Sequence, residues 1–226
     1  MCRGIAISFN IGLGGPDRLV AQSFARASSM EISLLLSMSG FALAMSISPG
    51  PVNLVALGTG ARYGFPASLR HVVGATLGFI FLLLLMGLGL GGALSQWPAA
   101  AGAIHWGGVL FLCYMAWQLL VDRGQLERVE GAPPAFWCGA LMQWLNPKAW
   151  LAASMGMGAY GVAGGVGQVA LFISIYLVIC LGSIACWAYA GSCMQGLLLV
   201  PRRLRWFNRA MALLLLLSAA YLVRSA

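Results

Sequence analysis

The chain is 226 residues long, 61% hydrophobic and only 8% charged, with a mean hydropathy of +0.88. Soluble domains carry about 25% charged residues, so composition excludes a water-soluble globular protein before any motif is read. The net charge of +8 falls in separate short loops rather than along one basic face, which argues against nucleic acid as a partner.

The first stretch, "MCRGIAISFNIGLGGPDRLVAQSFARASS", carries Arg3, Arg18 and Arg26. Its apolar part is short, holds Asn10 and is not followed by a small-residue cleavage site, so a secretory signal is poorly supported. A start at Met30 would leave "MEISLLLS", whose Glu31 suits an external end. Residues 1–29 are therefore expected to be an over-extended or disordered tail, ahead of a single six-helix domain over residues 30–226.

Apolar runs of helical length follow at about 32–58, 71–94, 102–121, 136–160, 168–198 and 207–223. Each can span a hydrocarbon core of about 30 Å, which predicts an all-α integral membrane protein with six transmembrane helices. The loops between runs fix the orientation. Arg62 and Arg70, then Arg123 and Arg128, then Arg202, Arg203, Arg205 and Arg209 all lie in loops on one side, whereas "QWPAAAGA" and "GVAGGVGQ" on the other side are uncharged. By the positive-inside rule the three basic loops are expected in the cytoplasm and both termini outside. Cys113, Cys138, Cys180, Cys186 and Cys193 fall in or at the ends of runs without CxxC spacing, and are expected to pack as small apolar residues.

Two of the runs are interrupted. The first contains "SPGPVN" (Ser48, Pro49, Gly50, Pro51, Val52, Asn53) and the fourth contains "QWLNPK" (Gln143 to Lys148). Proline lacks an N–H and leaves the carbonyl four residues earlier unpaired, a serious cost in hydrocarbon. Pro49 and Pro51 should free the carbonyls of Met45 and Ile47, and Pro147 that of Gln143, giving acceptors for an ammonium group. The half-helix amino ends after each break suit a carboxylate. Asn53 and Asn146 add amides, and Ser46 and Ser48 add hydroxyls. Lys148 is the only lysine in the chain, and a buried ammonium needs a partner such as a substrate carboxylate.

The interrupted runs are first and fourth of six and should run in opposite directions, as in a three-plus-three inverted repeat with broken helices one and four. Paired interruptions of this kind point to a transport site. The candidate substrate-binding residues are Ser48, Pro49, Gly50, Pro51, Asn53, Gln143, Asn146, Pro147 and Lys148.

The stretches "SISPGPVNLVALGTGARYGFPASLRHVVGATLG" and "FWCGALMQWLNPKAWL" resemble the signatures of the lysine exporter (LysE) family, RhtB subfamily, from about Met30 onward. The resemblance places the family's proline-glycine-proline and asparagine on Pro49, Gly50, Pro51 and Asn53. It places a cytoplasmic turn on Gly60, Arg62 and Gly64, glycines of the second helix on Gly74 and Gly78, and the asparagine-proline-lysine on Asn146, Pro147 and Lys148. It implies a bacterial inner-membrane secondary transporter that exports amino acids from the cytoplasm. The last run lacks the glycine common in such proteins and the third is bulkier, so packing in that half is expected to differ.

The absence of acidic residues within the spans favours neutral amino acids, and export against a gradient suggests the proton motive force, with a coupling proton and a homo-oligomer both compatible with the sequence. The alternative within the superfamily is divalent metal-ion efflux. It would need carboxylates, histidines or thiolates converging in the membrane, yet Asp122, Glu127 and Glu130 lie in a loop and His71 and His105 near span ends. A thiol-disulfide carrier would need a cysteine in the first span, and an intramembrane hydrolase a nucleophile with a base at its depth. No enzyme activity, cofactor or resident metal is expected.

Overall fold

Six of the nine prolines open helices, and their positions draw most of the element boundaries. A proline in the first turn costs nothing there, because its missing N–H would have no intrahelical acceptor. In the computed structural model, which describes residues 16–122, 135–161, 165–198 and 200–224, α1 (Pro16–Ile47), α2 (Pro51–Tyr63), α5 (Pro98–Val121), α7 (Pro147–Tyr160) and α10 (Pro201–Arg224) begin at proline. In α3 (Phe65–Leu85) proline is the second residue. The remaining elements are α4 (Gly91–Gln96), α6 (Phe136–Leu145), α8 (Gly165–Cys193) and α9 (Gln195–Leu198), with one π-helical turn at Met86–Leu90 joining α3 to α4. Within that turn Gly89 has φ 109°, a left-handed conformation that glycine adopts without steric cost.

Every regular element among the described residues is helical. Four helical stretches, Phe65–Gln96, α5, α8 and α10, are long and apolar enough to cross a membrane. A fifth candidate is Glu31–Ile47 with α2, bent by 61° between them. The observed helices begin earlier than the apolar runs did: α3, α8 and α10 include polar or arginine-bearing first turns that hydropathy alone leaves out, and α5 starts at Pro98 on a run of alanines. The expected tail, 1–29, lies outside the described residues up to position 15, and from Pro16 the chain is helical and continuous with α1. Two compact units are distinguished, Met1–Ser37 and Met38–Ala226; everything that follows concerns the second.

Within it, the most extensive packing pairs α3 with α6, α2 with α8, and α5 with α10. The first two pairs depend on glycine. A Cβ on Gly74 would overlap the backbone of Phe136, one on Gly78 would come within 2.8 Å of the Ala140 backbone, and one on Gly191 would overlap the Leu57 carbonyl. Small residues let membrane helices touch backbone to backbone, where dispersion and weak polar contacts replace the hydrophobic effect that lipid cannot supply. The α5–α10 pair instead interdigitates larger side chains, with Val109, Leu112, Ala116, Ala212, Leu215, Ala219 and Leu222 buried around Leu54 of α2. Outward-facing positions stay apolar: Leu110, Trp117, Leu141, Val178 and Leu217 are each more than half exposed, as a lipid-facing surface requires.

Candidate functional site

Both interruptions fall where the sequence placed them, between α1 and α2 and between α6 and α7, and tertiary packing brings them together. The Lys148 ammonium, in the first turn of α7, donates to the Ser48 carbonyl at 2.6 Å and the Ser48 hydroxyl at 2.7 Å, with Pro49 O at 3.5 Å. Lysine therefore fastens one break to the other across 100 residues of sequence. Its partners are backbone and hydroxyl oxygens; no acidic side chain is among them.

The first break is stabilised from many directions. Asn53, buried in the first turn of α2, donates from Nδ2 to the carbonyls of Ser46 and Ser48, both at 2.9 Å. The Ser48 hydroxyl donates to Ala44 O at 2.7 Å. Trp187 of α8 donates from Nε1 to Ile47 O at 2.9 Å, supplying the bond that Pro51 cannot make. Gly50 is extended, at φ −164° and ψ 170°, a conformation open to any residue. What its missing side chain provides is room: a Cβ there would sit 3.5 Å from Lys148 Cδ and 3.7 Å from Nζ.

The second break closes locally. Asn146 caps α7, its side-chain oxygen accepting from Lys148 N at 3.2 Å, while its own N–H donates to Gln143 O at 3.2 Å. Its Nδ2 donates to Gln143 Oε1 at 3.4 Å, and Trp150 Nε1 donates to Trp144 O at 2.8 Å. The carbonyls expected to await an ammonium group are therefore engaged by the protein itself at Ile47 and Gln143. Met45 O receives the distant Ser48 hydroxyl at 3.4 Å.

Between the breaks lies a cavity of mixed polar and apolar lining, about 40 Å³, room for on the order of three water molecules. Six of the nine sequence-chosen residues bear on it or on its wall: Gly50, Asn53, Gln143, Asn146 and Lys148 line it, and Ser48 holds Lys148. Pro49 and Pro51 face instead a larger apolar crevice of about 450 Å³ bounded by α5, α7 and α10, and Pro147 lines neither. Pro147 packs against Gly108 of α5, where any Cβ would overlap the proline ring. Lys148, Gly50 and Met45 line both spaces, so the lysine stands as the partition between them.

Sequence reasoning missed the contribution of α3 and α8. Phe79, Tyr176, Cys180 and Ile184 complete the cavity wall. Cys180 is thus set apart from Cys113, Cys138, Cys186 and Cys193, which are exposed. His71, the seventh residue of α3, is fully buried, with Nε2 3.4 Å from Val52 O. A polar stripe of Tyr176, Cys180 and Ser183 in an otherwise oily helix was the available signal. Among the described residues no group of three or more histidines, cysteines or acidic residues is placed to hold a metal.

The architecture is that of a multi-pass membrane protein built around two joined helix interruptions. The sequence profile described as LysE type translocator matches residues 43–226, and the chain belongs to that family. It is similar to proteins named cysteine/O-acetylserine efflux protein. The one from Escherichia coli O139:H28 (strain E24377A / ETEC) is 27% identical, covering 84% of this chain and 97% of the relative. Those of Escherichia coli K12 and Shigella sonnei Ss046 are each 26% identical, covering 85% of this chain and 96% of the relative. No solved structure matches.

Proposed function

We propose that the protein is a secondary transporter of the bacterial inner membrane that exports neutral amino acids, binding them between the two helix breaks. The observation that carries this reading is Lys148: an ammonium positioned between two broken helices, held by oxygens of modest strength rather than by a carboxylate. A substrate carboxylate is a stronger partner for it than a neutral carbonyl or hydroxyl. The cavity at present is too small for an amino acid, so loading requires Lys148 to leave Ser48 and open the partition toward the larger crevice. Substrate is then exchanged for the Ser48 contacts, and release restores them. Asn53, Gln143 and Asn146 contact the bound solute, while Pro49, Pro51 and Pro147 keep the helices open.

In this reading α6 and α7 together form the fourth of six spans, and the breaks are the equivalent points of a three-plus-three inverted repeat. The three arginine-rich loops lie in the cytoplasm and both termini outside, following the positive-inside rule. Neutral side chains are preferred because no acidic residue lines the cavity to balance a second cation. The relatives' named solutes, cysteine and O-acetylserine, likewise have side chains without a fixed charge. Export against a gradient draws on the proton motive force, worth about 2.3 kcal/mol per charge across 100 mV.

The test is uptake of labelled amino acids into inside-out vesicles. Threonine, leucine and cysteine should accumulate faster than lysine or arginine, and an imposed pH gradient or potential should raise the accumulation. Preferential lysine transport would overturn the neutral preference. Transport indifferent to both gradients would mark a facilitator.

A further inference from the structure

A dipolar substrate has two ends, and the carbonyls expected to receive its ammonium are mostly occupied. Ile47 O is taken by Trp187, Gln143 O by Asn146, and the Ser46 and Ser48 carbonyls by Asn53. The cavity nevertheless keeps an acceptor in reserve. Ser46 is buried, at 9% exposure, and its hydroxyl lies beside the Tyr176 hydroxyl and the Cys180 thiol without a well-formed hydrogen bond to either. The other buried side-chain atoms without a well-formed hydrogen bond among the described residues belong to His71, His105 and Ser183, none of which lines this cavity; Ser46 does. A hydroxyl has two acceptor lone pairs, so Ser46 and Tyr176, side by side in the wall and poorly satisfied by each other, keep acceptor capacity for a cation.

Tyr176 lines the same cavity and is only 2% exposed. Its ring is held by Phe79 at 4.6 Å, Phe172 at 5.6 Å and Phe41 at 6.4 Å between centroids, so it is a fixed wall. A phenol ring attracts cations to its face, and its hydroxyl can accept a hydrogen bond. We infer that Ser46 and Tyr176 form the subsite for the ammonium group of the transported amino acid, in the cavity where Lys148 takes the carboxylate. The subsite rests on the reading that the chain exports amino acids. It extends that reading by assigning recognition of the second charge to α1 and α8, without any acidic residue. It also implies that compounds keeping the carboxylate and side chain but lacking the ammonium are discriminated against at Ser46 and Tyr176.

The experiment measures uptake into inside-out vesicles of labelled threonine, leucine and cysteine. The 2-hydroxy-acid counterpart of each, in which an uncharged hydroxyl replaces the ammonium, serves as competitor. Wild-type protein should favour the amino acid. Ser46→Ala and Tyr176→Phe should each raise the KM for the amino acid about tenfold, the effect of losing a hydrogen bond to a charged group, while changing inhibition by the hydroxy acid less than about twofold. Retained inhibition by the hydroxy acid shows that a variant is folded. Parallel changes in both constants, or no change in either, would overturn the subsite and leave the export reading intact. Wild-type vesicles that carry none of the three amino acids would overturn both.

Discussion

The two helix breaks solve the same problem in different ways. At the second, every donor observed comes from within six residues: the Asn146 N–H and side chain, Lys148 N and Trp150 Nε1. At the first, Asn53 and Ser48 do part of the work, but Lys148 and Trp187 reach in from 100 and 140 residues away. A locally sealed break is a rigid feature of its own helix. A break sealed by side chains of other helices changes whenever those helices move. Under the proposed function, the first interruption is the one through which helix motion and substrate binding are coupled, and the second is the platform that presents Lys148 to it.

The sharpest test of this contrast is Lys148→Met, which removes the link while keeping length and apolar bulk. Transport should fall at least about thirtyfold, the scale of deleting one partner of a buried charged interaction, while the protein still accumulates in the membrane. Wild-type transport by this variant would remove the lysine from the mechanism. Next in size is Asn53→Ala, which strips donors from two carbonyls at once. Unfolding in detergent should show a loss of about 1–3 kcal/mol, the cost of leaving the Ser46 carbonyl unsatisfied, since the Ser48 carbonyl keeps the Lys148 ammonium. An unchanged melting profile would mean that water replaces the amide without cost.

Trp187→Phe and Trp150→Phe compare the two breaks directly, because each deletes one indole donor to a broken-helix carbonyl. Both should cost about 1 kcal/mol of stability. Only Trp187→Phe should also alter transport, since only that bond crosses between helices from opposite halves of the chain. Equal transport by the two variants would erase the distinction. The smallest effect belongs to Gly50→Ala. Its backbone is extended and the added methyl would meet Lys148 at ordinary contact distance, so transport should drop less than about twofold; Gly50→Leu, which must displace the lysine, should behave like Lys148→Met. Severe loss in Gly50→Ala would show that the lysine has no freedom at all.

Much of this was legible in the sequence. Composition alone required a membrane, because a chain with so few charges has nothing to turn toward water over most of its surface. Proline marked both breaks to the residue, since a missing N–H acts on the backbone wherever the helix sits. Gly50, Asn53, Gln143, Asn146 and Lys148 followed from the same stretches. The apolar runs did not show where the helices begin, because first turns at the membrane surface tolerate polar residues that hydropathy reads as loop.

What the tertiary structure alone decided is which groups answer the breaks. The carbonyls freed by proline could be predicted from a fixed offset of four residues, but Trp187, which answers Ile47, and Lys148, which answers the neighbouring Ser48 carbonyl, stand at no fixed spacing from them. The same holds for the wall of Phe79, Tyr176 and Cys180, supplied by two further helices whose approach depends on glycine contacts such as Gly191 on Leu57. Backbone chemistry is a property of the chain's own order and can be read along it. Side-chain partnership in a helical membrane protein is set by which helix faces pack together, and that packing exists only once the helices have assembled.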